Sequence, residues 1–168
     1  DKLTVSGTLK SNAPDSIIES GTVALNGGVL EVAADISVSS LFVNNASSEI
    51  NVSSGKSLTY SGNNFELGES PLTLTGGGTF ANSSDLRLSN SASVLNLDGI
   101  GEISKLSFPV SLQTGILNVS QDAKINNLSH EGESRINVLS GKILTISEDF
   151  SVGSNKTMEI NGAGGKIK

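Results

Sequence analysis

Few side chains in this chain are equipped for chemistry, and their spacing decides what they can do. His130 is the single histidine, and there is no cysteine. Neither a structural zinc cluster nor a three-ligand catalytic zinc can be assembled from the usual donors. His130 stands in Ser129-His130-Glu131-Gly132-Glu133, a polar turn, and is expected as an exposed loop histidine. Serines are plentiful, yet no G-x-S-x-G elbow sets one up as a nucleophile. Asp98-Gly99-Ile100-Gly101-Glu102 and Glu148-Asp149 gather the oxygen ligands that calcium uses. They lack EF-hand spacing and the glycine-rich nonapeptide repeat, so solvated turns are expected there. Gly76-Gly77-Gly78 is followed by neither a helix nor Lys-Ser/Thr, and reads as a tight corner rather than a phosphate cradle. No metal or other cofactor is expected.

Any such residue must be positioned by short β-strands. Ser134–Lys156 contains three runs with every second residue apolar: Ile136/Val138, Leu144/Ile146 and Phe150/Val152. Strict alternation over so few residues is the pattern of a half-buried strand, because successive side chains point to opposite faces. Ser140-Gly141-Lys142, Glu148-Asp149 and Gly153-Ser154-Asn155-Lys156 separate them with turn-forming residues. The stretch reads as one three-sided coil.

The same phrase recurs along the chain. It opens at Leu3, Val23, Leu41, Leu58, Leu72, Leu95, Leu117, Ile136 and Met158, at intervals that centre on roughly 20 residues. No window carries helical spacing, and glycine interrupts every segment. The expected fold is all-β: residues 1–168 form a single-domain parallel β-solenoid, a right-handed β-helix of about eight coils. One coil cannot bury its apolar pairs alone; lying on a neighbour buries them and pairs the strand N–H and C=O groups. A β-sandwich is the competing architecture, with longer strands joined by hairpins. Asn12–Ser16, with Pro14, and Ile100–Gly115, with Phe108-Pro109, are expected as loops or bulges. Asn26, Asn44, Asn45, Asn63, Asn64, Asn126 and Asn127 stand at turns, either as turn formers or as stacked amide ladders.

Composition narrows the function. The net charge of −6 opposes binding to nucleic acid, whose phosphates demand clustered Lys and Arg, and to an anionic membrane surface. No apolar run approaches a span of roughly 20 residues, so no membrane insertion is expected. Asp1-Lys2-Leu3-Thr4-Val5 already looks like strand rather than signal peptide, which suggests a mature product or a cut-out fragment. Absence of cysteine fits a bacterial exported protein.

A β-helix polysaccharide lyase or hydrolase needs clustered carboxylates on an external strand face. The outward positions of the recurring phrase are Thr4, Ala24, Thr59, Thr73, Asn96, Asn118, Asn137 and Glu159, a row without an acidic pair. The chain has no Trp and one Tyr, Tyr60, which falls at an inward position. Enzyme activity is therefore not expected, although a carbohydrate-active β-helix remains the rival reading. Thr4, Thr59 and Thr73 also begin an ice-binding type of row, which Ala and Asn interrupt.

Leu58-Thr-Tyr60-Ser-Gly62-Asn63-Asn64-Phe65-Glu-Leu67-Gly68, followed by Leu72-Thr-Leu74-Thr-Gly76-Gly77-Gly78-Thr79-Phe80, resembles the repeats in passenger domains of bacterial autotransporters. The chain as a whole is similar to the parallel β-helices of secreted adhesins and filamentous haemagglutinins. The resemblance implies a secreted or cell-surface rod that adheres, scaffolds or displays. Its partner would be a host surface, a neighbouring cell or a glycan. No catalytic residue is carried over.

Solenoids need polar caps, or they pair end to end. No amphipathic helix or other cap is legible beside Leu3 and Val5, or beside Met158, Ile160 and Ile167. These five residues are the candidates for self-association, either because the chain is a slice of a longer β-helix or because copies join into a surface filament.

Overall fold

The structure is a computed structural model that describes the chain except residues 1, 13–17, 45, 91, 109–113 and 155–157; the side chains of residues 2, 18–21, 108, 114, 133 and 158 are also left aside. Every strand pair in it is parallel, and strands that neighbour in a sheet are separated in sequence by a full circuit of the chain. Sheet I has eight strands: β2 (Thr8–Ser11), β4 (Val29–Val32), β6 (Ser48–Val52), β9 (Leu72–Thr75), β12 (Val94–Asp98), β14 (Thr114–Val119), β16 (Glu133–Val138) and β19 (Met158–Asn161). At about 4.8 Å per strand this side runs on the order of 35 Å.

Sheet II has twelve strands: β1 (Lys2–Val5), β3 (Ile18–Leu25), β5 (Ile36–Val43), β7 (Ser57–Tyr60), β8 (Phe65–Leu67), β10 (Thr79–Asn82), β11 (Leu86–Leu88), β13 (Glu102–Phe108), β15 (Ala123–His130), β17 (Ile143–Ile146), β18 (Phe150–Val152) and β20 (Lys166–Ile167). It covers the other two sides, because its long strands serve both in turn. Ala123–Ile125 of β15 pair with β17, whereas Leu128–His130 pair with β18. Val38 of β5 pairs with Ile18 of β3 and with Tyr60 of β7, and after a register shift Ser40–Val43 pair with Thr22–Leu25 of β3.

The fold is thus the parallel β-solenoid that the alternation implies, with no antiparallel hairpin of a sandwich among the described residues. It makes about six turns, slightly fewer than the eight coils expected. The first and last of the eight rungs are ends, with a neighbour on one side only. Ile136/Val138, Leu144/Ile146 and Phe150/Val152 lie on β16, β17 and β18, the three sides of one coil. Glu102–Phe108 and Thr114–Val119 are strands rather than the expected loop. One bulky inward residue on each side, Ile103 against β10 and Leu106 against β11, holds β13 in the stack despite the irregular spacing around it. Pro109 and Pro14 fall outside the described residues.

The core is a set of stacked columns. In sheet I, Leu72, Leu95, Leu117 and Ile136 lie one above another, beside Leu30, Ile50, Leu74, Leu97, Val119 and Val138. All are buried. Where sheet II turns its corner, Tyr60, Phe65 and Phe80 pack with ring centroids 5.7 and 6.3 Å apart. Tyr60 is inward and buried, as its place in the phrase predicts, and burial raises its phenol above the ordinary range.

Gly76 shows why the corner after β9 needs glycine. Its φ is +98°, and a Cβ there would stand 2.3 Å from the Val52 carbonyl oxygen. Neither the dihedral nor the space admits a side chain.

Candidate functional site: an amide ladder and its groove

The outward row of the recurring phrase is divided by the fold. Thr4 and Ala24 pair on β1 and β3, Thr59 lies on β7, and Thr73, Asn96, Asn118 and Asn137 lie in register on sheet I. Glu159 sits one row aside, opposite Arg135, and Asn161 takes the place beside Asn137. Three sides of a coil share one binary pattern, so alternation alone cannot say which side a phrase occupies. The Thr4/Thr59/Thr73 row of an ice-binding face is therefore overturned: those threonines lie on different strand stacks.

What remains is a real ladder on sheet I. Asn96 Nδ2 donates to Thr73 Oγ1 at 3.3 Å, Asn118 Nδ2 to Asn96 Oδ1 at 2.9 Å, and Asn137 Nδ2 to Asn118 Oδ1 at 2.7 Å. Partners stand 19 to 23 residues apart in the chain, one coil each. Parallel in-register stacking at the strand spacing places identical amides where each can donate to the next. All donors point the same way. Asn161 leaves the ladder, since its Nδ2 donates to Glu159 Oε1 at 3.2 Å.

The turn asparagines read either as turn formers or as ladders, and Asn26, Asn44, Asn126 and Asn127 bond to other groups rather than to one another. Asn126 Nδ2 donates to Glu102 Oε1 and Asn127 Nδ2 to Glu148 Oε2, at 2.7 and 2.9 Å. Asn26 and Asn44 engage the previous coil through their backbone N–H groups. Asn45 lies outside the described residues. The signal that separates the two groups is position within the alternation. Ladder asparagines sit between two inward apolar residues, whereas Asn126-Asn127 are consecutive outward residues at a corner, like Ser104-Lys105.

Beside the ladder, across its last three coils, runs a shallow groove of about 460 Å³. Asn118, Asn137 and Asn161 form one wall, Leu139 and Ala163 give it apolar surface, and Ser120 and Ser140 add hydroxyls. Leu139 is 57% exposed. Among the described residues, no charged side chain lines it.

The other sequence candidates are dispersed or internal. His130 is fully buried on β15, which pairs in register with β13 and β18, and this corrects the expected exposed loop position. It ends an inward-facing strand half, and Gly153 N–H donates to its carbonyl. Asp98 accepts from Ser120 Oγ at 2.7 Å, while Glu102 accepts from Lys124 Nζ at 3.0 Å as well as from Asn126. Those two bonds hold the Glu102 carboxyl below the usual carboxylate range. Among the described residues no group of acids and histidine is placed to hold a metal ion. The Gly76–Gly78 run is a corner, and Gly78 N–H donates to Val52 C=O.

The five end residues are placed as follows. Leu3 is exposed, Val5 is buried under β3, Ile160 is 53% exposed, Ile167 is half-buried, and the Met158 side chain is outside the described set. Leu3 and Val5 are neighboured by Val23 and Leu25, and Ile160 caps the Leu117/Ile136 column. Phe150 and Val152 complete two further inward columns, over Leu128 and His130, and are about half exposed. Sequence reading missed both, because their alternation is the same as that of a covered coil.

No family model matches the chain, and no curated protein or solved structure matches it either.

Proposed function

We propose that the chain is a structural and adhesive β-solenoid of a secreted or cell-surface bacterial protein, which acts by binding rather than by catalysis. The supporting observation is the Thr73–Asn96–Asn118–Asn137 ladder on a flat strand face. Each ladder amide uses one N–H in the ladder and keeps a second N–H and a further lone pair for a ligand. A row of such groups repeating once per coil suits an extended, hydroxyl-rich partner such as a glycan on a host or neighbouring cell. Retention on immobilised polysaccharides and on cells tests this. Asn96→Ala combined with Thr73→Ala is expected to reduce retention at least tenfold with the circular dichroism unchanged. Full retention, or reproducible release of reducing or unsaturated sugar by the wild-type chain, would overturn it.

A second reading draws on Phe150, Val152 and Ile160, whose columns end half exposed. A second copy laid in register would cover them and extend the stack as a surface filament, a head-to-tail contact that need not close. Light scattering at rising concentration separates the readings: monodisperse monomer at high concentration removes the filament.

A further inference from the structure

The groove beside the ladder has a chemistry more specific than that of the ladder itself. We propose that it is a binding subsite for a neutral saccharide residue, resting on the adhesive reading above.

The ladder is directional, with every amide donating toward the N-terminal coils. Hydrogen-bond chains polarise their members, so the carbonyl at the far end is the strongest acceptor. That end is Asn137, because Asn161 turns aside to Glu159 instead of continuing the run. Asn137 lines the groove. A ligand hydroxyl donating there replaces the amide that the next coil withholds. The Asn118 and Asn161 amides and the Ser120 and Ser140 hydroxyls supply further neutral donors and acceptors.

The opposite requirement is apolar. Leu139 takes the outward position after Val138, where it continues the row of Asp98 and Ser120. A large exposed aliphatic that follows Asp98 and Ser120 in the row, next to Ala163, offers apolar surface for the C–H face of a pyranose ring. The groove volume of about 460 Å³ is within the usual range for small-ligand sites. The described lining residues carry no charge and offer a carboxylate or sulfate on the ligand no ionic partner. The occupant that fits is thus a neutral hexose or N-acetylhexosamine unit rather than a uronic acid.

Titration of the whole chain with neutral and acidic oligosaccharides, followed by protein-observed NMR, tests the subsite. Neutral oligomers are expected to shift the Asn118, Asn137 and Leu139 resonances. Leu139→Ser and Ala163→Glu, both at exposed positions, are each expected to weaken binding at least tenfold. Binding that survives both variants yet is lost in Asn96→Ala overturns the subsite and leaves the adhesive ladder standing. A preference for acidic oligomers also overturns the subsite alone. Failure of every oligosaccharide to bind, together with full loss of surface retention, overturns both.

Discussion

At the scale of single residues, the structure separates buried polar groups that are satisfied from those that are not. Asn82 is buried at the end of β10, where Nδ2 donates to the Ser84 and Lys105 carbonyls and Oδ1 accepts from Lys105 N–H. It stitches one coil to the next where the alternation breaks. Asn82→Ala leaves those backbone groups unpaired and is expected to cost about 1–3 kcal/mol in urea unfolding. Ser134 is equally buried, but its Oγ has no hydrogen-bond partner. Ser134→Ala is expected to be neutral or stabilising by about 1 kcal/mol in the same measurement. Glu102 makes stability depend on pH. Its folded-state carboxyl is held down by Lys124 and Asn126, so its contribution is complete above the ordinary carboxylate range. It is lost as pH falls through the depressed folded value. The pair is partly exposed, so the effect is small and salt-sensitive. Glu102→Gln is expected to flatten the acid limb of a stability-against-pH profile, and an unchanged limb would assign that limb to other carboxylates.

At the scale of elements, corners decide which strand lies where. Gly76 and Gly55 both have positive φ, +98° and +72°. A Cβ on Gly55 meets nothing within 4 Å, whereas one on Gly76 strikes the Val52 carbonyl and the Asn51 side chain. Gly55→Ala is therefore expected to cost about 1–2 kcal/mol, the left-handed backbone penalty alone. Gly76→Ala is expected to cost clearly more, because the backbone must also move. Equal unfolding midpoints for the two variants would contradict the close approach at Gly76. Gly76 stands in a glycine run that reads as a corner, so that turn was legible. Which of the two glycines tolerates a side chain depends on a carbonyl one coil away, and that was not.

At the scale of the molecule, each coil touches only the coils beside it, so stability is a sum of neighbour contacts along the stack. β9 and β12 are paired on both sides, whereas β2 and β19 end sheet I with one partner each. Amide exchange is expected to be slowest in β9 and β12 and to quicken toward β1, β2, β19 and β20. Uniform protection from end to end would mean that the ends are covered in solution, as in the filament reading.

The residues by themselves determined the repeat, the strand character of the coils and the inward places of Leu, Val, Ile and Tyr60. Alternation is a local property, set by the opposite directions of successive side chains. Tertiary structure alone decided which phrase belongs to which side. That choice put Asn96, Asn118 and Asn137 into one ladder, sent Thr4 and Thr59 to other strand stacks, and buried His130. Sides of a solenoid carry the same pattern, and turns of unequal length separate them. Only pairing between coils, which links residues about 20 positions apart, tells them apart.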